Sequence, residues 1–206
     1  MQYVISDTHL MDENLLGMDE FAPRPFATTA AMDQAIIDHW NARVKPTDVV
    51  YHLGDIAVDL HRPEKVINAA IYERLMALNG RLVLLKGNHD RRSLFKYLAA
   101  HNVTVAGQAK FELHDVGKLI KYNHRQYYLT HYPLLLGIAP QIRNLHGHIH
   151  HYQLPYATNL NVGVDAPELN FLAQPVPFGT PLSMAEVETI AAKKATWLAA
   201  QQQGKE

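Results

Sequence analysis

The chain has 206 residues, with 19 basic and 20 acidic side chains, 13 histidines and no cysteine. This length fits one domain with a sizeable core, and the formal net charge of −1 excludes a global basic field that would attract nucleic acid or an anionic membrane. The missing cysteine excludes disulfides, zinc ribbons, iron–sulfur clusters and a thiol nucleophile. Histidine is a common metal ligand that titrates near neutral pH, so the positions of the histidines guide the functional interpretation.

The start of the chain gives no sign of targeting. The segment Met1-Gln2-Tyr3-Val4-Ile5-Ser6-Asp7 has neither a basic region nor a long apolar stretch, which argues against a signal peptide. The longest uncharged apolar stretches also fall well short of a membrane-spanning helix. We therefore expect a cytoplasmic protein without a membrane anchor. Composition indicates no nucleic-acid partner and leaves the oligomeric state open.

The first half of the chain alternates strand-like apolar runs with helical periodicity. Runs of strand length lie at residues 3–5, 49–53 and 82–85. Helices are predicted from Thr28 or Thr29 to just before Pro46, from Pro63 to Asn79-Gly80, and over 93–100.

The second half is richer in strands. Residues 102–130 favour short strands with tight connections near Gly117 and Asn123-His124, and further strands are predicted at 142–145 and 159–164. A capping box at Ser183-Met184-Ala185-Glu186 begins a final helix over about 184–200. Together, the two halves predict one domain over residues 1–206, an α/β sandwich with mixed sheets.

Polar clusters follow five of the apolar runs. They are Asp7-x-His9, Gly54-Asp55, Gly87-Asn88-His89-Asp90, His131 and Gly147-His148-x-His150. Ligand groups gather beyond the carboxyl ends of strands in open α/β sheets, so five separate loops can converge on one rim. Asp-x-His and His-x-His are expected to place alternate side chains on one face of an extended segment. Carboxylate, imidazole and amide groups without sulfur are a ligand set for Mn, Fe, Zn, Ni or Mg.

These motifs, in this order, resemble the calcineurin-like metallophosphoesterases, and in particular their small bacterial or phage-type members. The resemblance implies a four-layer α/β/β/α sandwich and two divalent ions (Mn, Fe, Zn or Mg, with Mn favoured). It implies that the first ion is held by Asp7, His9, Asp55 and His150. It implies that the second is held by Asp55, Asn88, His131 and His148, with Asp55 bridging the two.

The resemblance also implies a reaction, the hydrolysis of a phosphomonoester or phosphodiester. Two divalent ions would neutralise the phosphate oxygens and lower the pKa of bridging water, so that hydroxide is available as the nucleophile. His89 would assist the leaving group as a general acid rather than bind metal, and Asp90 would orient the His89 ring. The expected partner is therefore a small phosphate-ester substrate.

Two arginines are candidates for phosphate recognition. Arg24, in Arg24-Pro25-Phe26, and Arg91 could each hold phosphate oxygens by a bidentate fork. A solvated surface arginine is an equal alternative for Arg24 and at least an equal one for Arg91. The sequence departs from close relatives at Met11-Asp12, where they often carry Gly-His, and in a longer stretch at 166–174.

Two other functions stay open at this point. The chain could be an interaction protein that uses a phosphoesterase fold for binding, as in the phosphoesterase-like subunit of retromer. Degraded ligand motifs would favour that alternative, and none is degraded here. A dinuclear amide hydrolase is disfavoured by the Asn88-His89 pair and by the order of the ligands.

Overall fold

Helices and strands alternate along the chain in the computed structural model, which describes residues 1–17, 22–105, 107–137, 139 and 141–203. The helices of this part are α1 (Thr29–Arg43), α2 (Glu64–Ala77), α3 (Arg92–Ala100) and α4 (Met184–Gln203). Its strands are β1 (Gln2–Ile5), β2 (Val49–His52), β3 (Arg81–Leu85), β4 (Thr104–Val105), β5 (Gln108–Ala109), β6 (Phe111–His114), β7 (Gly117–Tyr122), β8 (Arg125–Thr130), β9 (Ile142–His146), β10 (Asn159–Asn161) and β11 (Leu182–Ser183). Short 3-10 turns lie at Glu13–Leu15 and Pro167–Phe171.

The first sheet has the strand order β11-β1-β2-β3-β6. Strands β1, β2, β3 and β6 run parallel, and β11 pairs with β1 in the antiparallel sense. Because the parallel register holds the ends of β1, β2 and β3 in line, the segments that follow them leave the sheet at one rim. These segments contain Asp7, Asp55 and Asn88.

The second sheet has the strand order β10-β9-β8-β7, in which β7 and β8 form a hairpin and the other neighbours are parallel. Asn123 and His124 close the hairpin with positive φ angles of 46° and 61°, as a type I′ turn requires. The hairpin predicted at this dipeptide is therefore confirmed. Strand β8 leads into His131, and β9 leads into Gly147.

Two apolar clusters fill the space between the layers. One packs the first sheet against α1, α2 and α3, with Trp40 and Leu75 fully buried. The other lies between the two sheets and contains Val83 of β3, Leu145 of β9 and Ile190 of α4. Helix α4 contacts β1, β11 and β10, so it covers the place where edges of both sheets meet.

The two sheets are joined at the rim by backbone hydrogen bonds. The Ser6 N–H donates to the Val162 carbonyl (3.1 Å), and the Val164 N–H donates to the Ser6 carbonyl (3.2 Å). The loop after β1 therefore lies beside the segment after β10. Residues from both sheets reach the same site for this reason.

The predicted α/β fold with mixed sheets packed between helices is confirmed. Helix α4 runs to Gln203, beyond the predicted end near residue 200, and residues 204–206 lie outside the described part. The assignment of residues 1–206 to one domain stays a prediction. None of the described helices has the length and apolar composition of a membrane span.

A buried ion pair fixes α4 to the second sheet, and its loss should destabilise the protein. The Lys194 ammonium donates to Glu168 (2.8 Å) and to the Asn159 carbonyl (2.7 Å), and neither charged side chain is exposed. Lys194→Met leaves the Glu168 carboxylate buried without its cation, which should lower the free energy of unfolding by about 3–5 kcal/mol. Urea unfolding followed by circular dichroism measures this loss.

Two further variants test that explanation. Lys193→Met changes an exposed neighbour on the same helix and should alter stability by no more than about 0.5 kcal/mol. Adding Glu168→Gln to Lys194→Met removes the stranded charge and should recover much of the stability. Equal losses in the single and double variants would show that the unpaired carboxylate is not the cause.

Candidate metal centre

Six of the predicted ligands converge at the rim in two groups. The first group is Asp7, His9 and His150, and the second group is Asp55, His131 and His148. In each group, the candidate ligand atoms lie within 4.8 Å of one another. Asp55 also reaches the first group, because its Oδ2 lies 3.6 Å from His9 Nε2 and 3.2 Å from His131 Nε2.

Asn88 adds an amide oxygen to the second group. Its Oδ1 lies 2.7 Å from His131 Nε2 and 2.8 Å from His148 Nδ1. The other ring nitrogen of His131 donates to the Leu53 carbonyl (3.0 Å), which leaves Nε2 to face Asn88 and Asp55. The oxygens of Asn88 and Asp55 thus converge with ring nitrogens of His131 and His148. Such a set needs a positive charge between its members, either a proton or a metal ion.

The electrostatics of Asp55 agree with a cation site. Burial opposes ionisation of this carboxyl, but the neighbouring His131 and His9 rings hold its pKa well below the ordinary value. Burial lowers the pKa of His131, but the Asp55 carboxylate more than offsets that effect. The net pKa of His131 is therefore raised. The carboxylate is therefore held in its ionised form, which can accept hydrogen bonds or bind a metal ion.

His9 offers a buried ring nitrogen to the same site. Its Nδ1 donates to Asp12 Oδ2 (2.9 Å), and its Nε2 is buried without a hydrogen-bond partner among the described residues. Burial lowers the pKa of His9, but the Asp12 and Asp55 carboxylates raise it to about 9. A buried nitrogen that lies beside a carboxylate and has no hydrogen-bond partner fits a metal ligand.

The backbone of the ligand loops is left-handed rather than extended. The φ angles are 57° at Asp7, 46° at His9, 53° at Asp55, 73° at His148 and 45° at His150. The expectation that Asp-x-His and His-x-His are extended segments with alternating faces is therefore wrong. Side chains two residues apart still reach one group, because tight turns rather than strand alternation bring them together. Non-glycine residues with positive φ are uncommon and cluster at functional sites.

Two glycines allow the close approach that this geometry needs. A Cβ atom on Gly147 would overlap Ser6 Oγ and the carboxylate of Asp7, and one on Gly87 would overlap the carboxylate of Asp55. The N–H of His148, next to Gly147, donates to both oxygens of Asp7 (3.0 and 3.1 Å). Backbone of the second sheet therefore packs directly on a carboxylate of the first.

His89 and Asp90 occupy different places. The His89 ring is exposed at the rim, with its centroid 5.2 Å from that of His9. The backbone N–H of His89 donates to Asp55 Oδ1 (2.9 Å). Asp90 is buried and accepts from the N–H groups of Gly87 (2.8 Å), Asp55 (2.9 Å) and Ile56 (2.9 Å). The structure thus replaces the predicted contact of Asp90 with the His89 ring by contacts that tie the loops after β2 and β3 together.

Comparison with known proteins agrees with this geometry. The family model for calcineurin-like phosphoesterases matches residues 3–197. The chain belongs to this family. The match contains all seven predicted metal ligands, and membership implies a hydrolase that acts on phosphate esters with divalent metal ions.

Two similar proteins have no stated function. An uncharacterised protein of Methanocaldococcus jannaschii is 30% identical over 142 residues, which are 65% of this chain and 74% of that protein. A protein of unknown function from Aquifex aeolicus, known from a crystal structure, shares 24% sequence identity with a TM-score of 0.61. That similarity covers 92% of this chain and 98% of the other, and it supports the fold alone.

The Arg24 side chain is not accessible to a substrate phosphate. It is fully buried, and its guanidinium donates to the carbonyls of Asp7 (2.6 Å) and Thr8 (2.7 Å) and to Asp165 Oδ2 (2.7 Å). The predicted contact with substrate phosphate is corrected accordingly, because three protein oxygens already occupy this fork.

Arg91 has a different environment. It is exposed, and it lines a small cavity together with His89 and residues 57–60. Arg91 therefore lies on the same side of the site as His89. A contact between Arg91 and phosphate stays a prediction.

Sequence reasoning missed the roles of two carboxylates. Asp12, noted only as a departure from relatives, holds His9, and Asp165 Oδ2 accepts from His150 Nδ1 (3.0 Å). The signal for Asp12 was its position three residues after His9, which suits a local hydrogen bond. Asp165 lies 15 residues from His150, and no local pattern joins the two.

Filling the space at Gly147 should weaken metal binding. In Gly147→Ala the added methyl group would force the Asp7 carboxylate or the turn before His148 to move, and we expect at least about tenfold weaker binding of one ion. Isothermal titration with Mn²⁺ measures the change. Gly107→Ala is the control for a strained substitution away from the site, because Gly107 has a φ of 79° but no atom within 4 Å of an added Cβ. Equal metal affinity in the two variants would contradict the close packing described above.

Proposed function

We propose that this phosphoesterase is dinuclear and hydrolyses small phosphate esters, monoesters or diesters. Asp7, His9, His150 and Asp55 would hold one divalent ion, and Asp55, Asn88, His131 and His148 the other. The position of Asp55 Oδ2 between His9 Nε2 and His131 Nε2 carries the proposal, because one carboxylate then serves both groups. Two such ions would offset the charge of a phosphate ester and supply water of lowered pKa.

The donor set supports Mn²⁺ as the favoured ion, with Fe, Zn and Mg as alternatives. Carboxylate and amide oxygens suit hard cations, whereas four imidazole rings suit transition metals, and no thiolate is available. Asn88 contributes a neutral oxygen, so it adds a ligand without placing a further negative charge near an anionic substrate. This combination favours a transition metal that accepts both oxygen and nitrogen.

We further propose that His89 transfers a proton to the oxygen of the leaving group. Its ring stands exposed beside the first group, and its backbone is fixed through the Asp55 carboxylate. A ring nitrogen at this place can hold a proton without coordinating metal. Arg91, which lines the same cavity as His89, is the candidate for contact with a phosphate oxygen.

The size of the neighbouring space supports a small substrate. A cavity of about 270 Å³ lies beside Asp12 and is lined in part by Asp59, His61 and Arg62. This volume is close to the lower end of small-molecule sites. Its lining mixes acidic and basic groups, and the net charge of −1 gives no reason to expect a long nucleic acid.

Replacing the shared carboxylate should lower the metal content and abolish activity. In Asp55→Ala neither group keeps its common ligand, so we expect loss of at least one ion and a rate near that of buffer. Metal content after dialysis and hydrolysis of p-nitrophenyl phosphate and its bis ester measure the two effects. Asp115→Ala removes an exposed carboxylate elsewhere and should change neither.

Several outcomes would contradict the proposed function. Unmodified protein that retained no divalent ion would exclude a metal site, and Asp55→Ala with two ions and full turnover would exclude the bridge. Two bound ions with no hydrolysis across monoesters, diesters and cyclic nucleotides would favour the interaction-protein alternative.

Replacing His89 should separate catalysis from metal binding. His89→Ala should keep both ions and lose about 10²–10⁴-fold in turnover, since a general acid typically contributes that much. The loss should be larger for alkyl phosphates than for nitrophenyl phosphates, because alkoxides need protonation more. His101→Ala is the control, because His101 is an exposed histidine that stacks on Tyr97. An equal loss for both leaving groups would exclude proton donation by His89.

A further inference from the structure

A buried arginine connects two loops that supply the first group. Arg24 Nη2 donates to the Asp7 carbonyl, and Nη1 donates to the Thr8 carbonyl, so the fork grips the backbone of the first ligand loop. The same Nη2 donates to Asp165 Oδ2 (2.7 Å). Arg24 thus holds the segment after β1 from inside the protein, on the side away from solvent.

Asp165 completes the connection to the second sheet. Its Oδ2 accepts both from Arg24 and from His150 Nδ1 (3.0 Å), and the carboxylate is nearly buried. A ring whose Nδ1 is held by a carboxylate has a fixed orientation. One chain of contacts therefore runs from the Asp7 backbone through Arg24 and Asp165 to the His150 ring.

We propose that Arg24 and Asp165 are positioning residues that set the geometry of the first group alone. This inference rests on the proposed function, in which that group binds an ion. The pair would fix the Asp7 backbone relative to the His150 ring and so determine the affinity of the first ion. It would leave the second ion unaffected.

The first group needs such a connection more than the second. Asp7 and His150 come from loops of different sheets, and both have left-handed backbone that their neighbours must hold in place. In the second group, the His131 ring is instead fixed through the Leu53 carbonyl and the Asn88 side chain. Loss of the pair should therefore affect the two ions unequally.

The test is the affinity of each ion in full-length variants. In Asp165→Asn, the neutral side chain no longer supplies the charged acceptor shared by Arg24 and His150, and one Mn²⁺ should bind about 10–100-fold more weakly. The other ion should keep its affinity. Arg24→Lys keeps the buried charge but loses the planar fork, so it should weaken the same ion, and it provides the test if Asp165→Asn fails to fold. Chelator competition followed by metal analysis measures both affinities.

Two controls separate positioning from general stability. Arg43→Lys changes a comparable arginine, paired with Glu186 away from the site, and should leave both affinities unchanged. Melting temperatures of all variants show how much stability each has lost. Weakening of both ions in proportion to lost stability, or unchanged affinity for both, would overturn the inference.

Combined variants identify which ion is affected. Asp165→Asn with His131→Ala should retain neither ion tightly, because each change weakens a different group. Asp165→Asn with His9→Ala should retain one, because both changes weaken the first group. The reverse pattern would overturn the inference while the proposed function stands. Unmodified protein without divalent ions would instead refute the proposed function.

Discussion

The whole site depends on the close approach of two backbones where the sheets meet. Ser6 exchanges backbone hydrogen bonds with Val162 and Val164, and Gly147 lies so near Asp7 that a methyl group would not fit. Strand pairing alone could not bring these loops together, because each sheet ends in its own rim. The Ser6 bridge joins the two rims, and ligands from distant parts of the sequence thereby become neighbours.

That approach has an energetic cost which buried polar groups must offset. Left-handed backbone at a non-glycine residue costs on the order of 1–3 kcal/mol, and it persists only where surrounding contacts determine it. Asp90 supplies such contacts by accepting from three N–H groups of the loops after β2 and β3. Arg24 supplies them by donating to the carbonyls of Asp7 and Thr8. Charged groups next to the ligands thus stabilise the turns that present the ligands.

Much of the fold was predictable, because periodicity and turn residues report local structure and the order of strand-end motifs identifies a rim. The convergence of Asp7 and Asp55 at that rim follows from parallel strands. Three features could not be read in this way. The left-handed turns are set by tertiary contacts, the partners of Asp90 are backbone groups with no sequence signature, and the burial of Arg24 depends on a contact with Asp165 across 141 positions.

The occupancy of oxygen lone pairs explains why neighbouring carboxylates in one site take different roles. Asp90 has both oxygens engaged by backbone N–H groups, and Asp165 Oδ2 is shared by an arginine and a histidine, so both carboxylates hold neighbouring groups in position. Asp12 is similar, since Oδ2 holds His9 and Oδ1 accepts from Asn14. Asp55 differs, because only Oδ1 accepts an N–H and Oδ2 faces two imidazole rings. Asp55 is thus the carboxylate of this cluster with one oxygen that faces imidazoles of both groups, which suits it to serve both, and chain position alone would not have distinguished it.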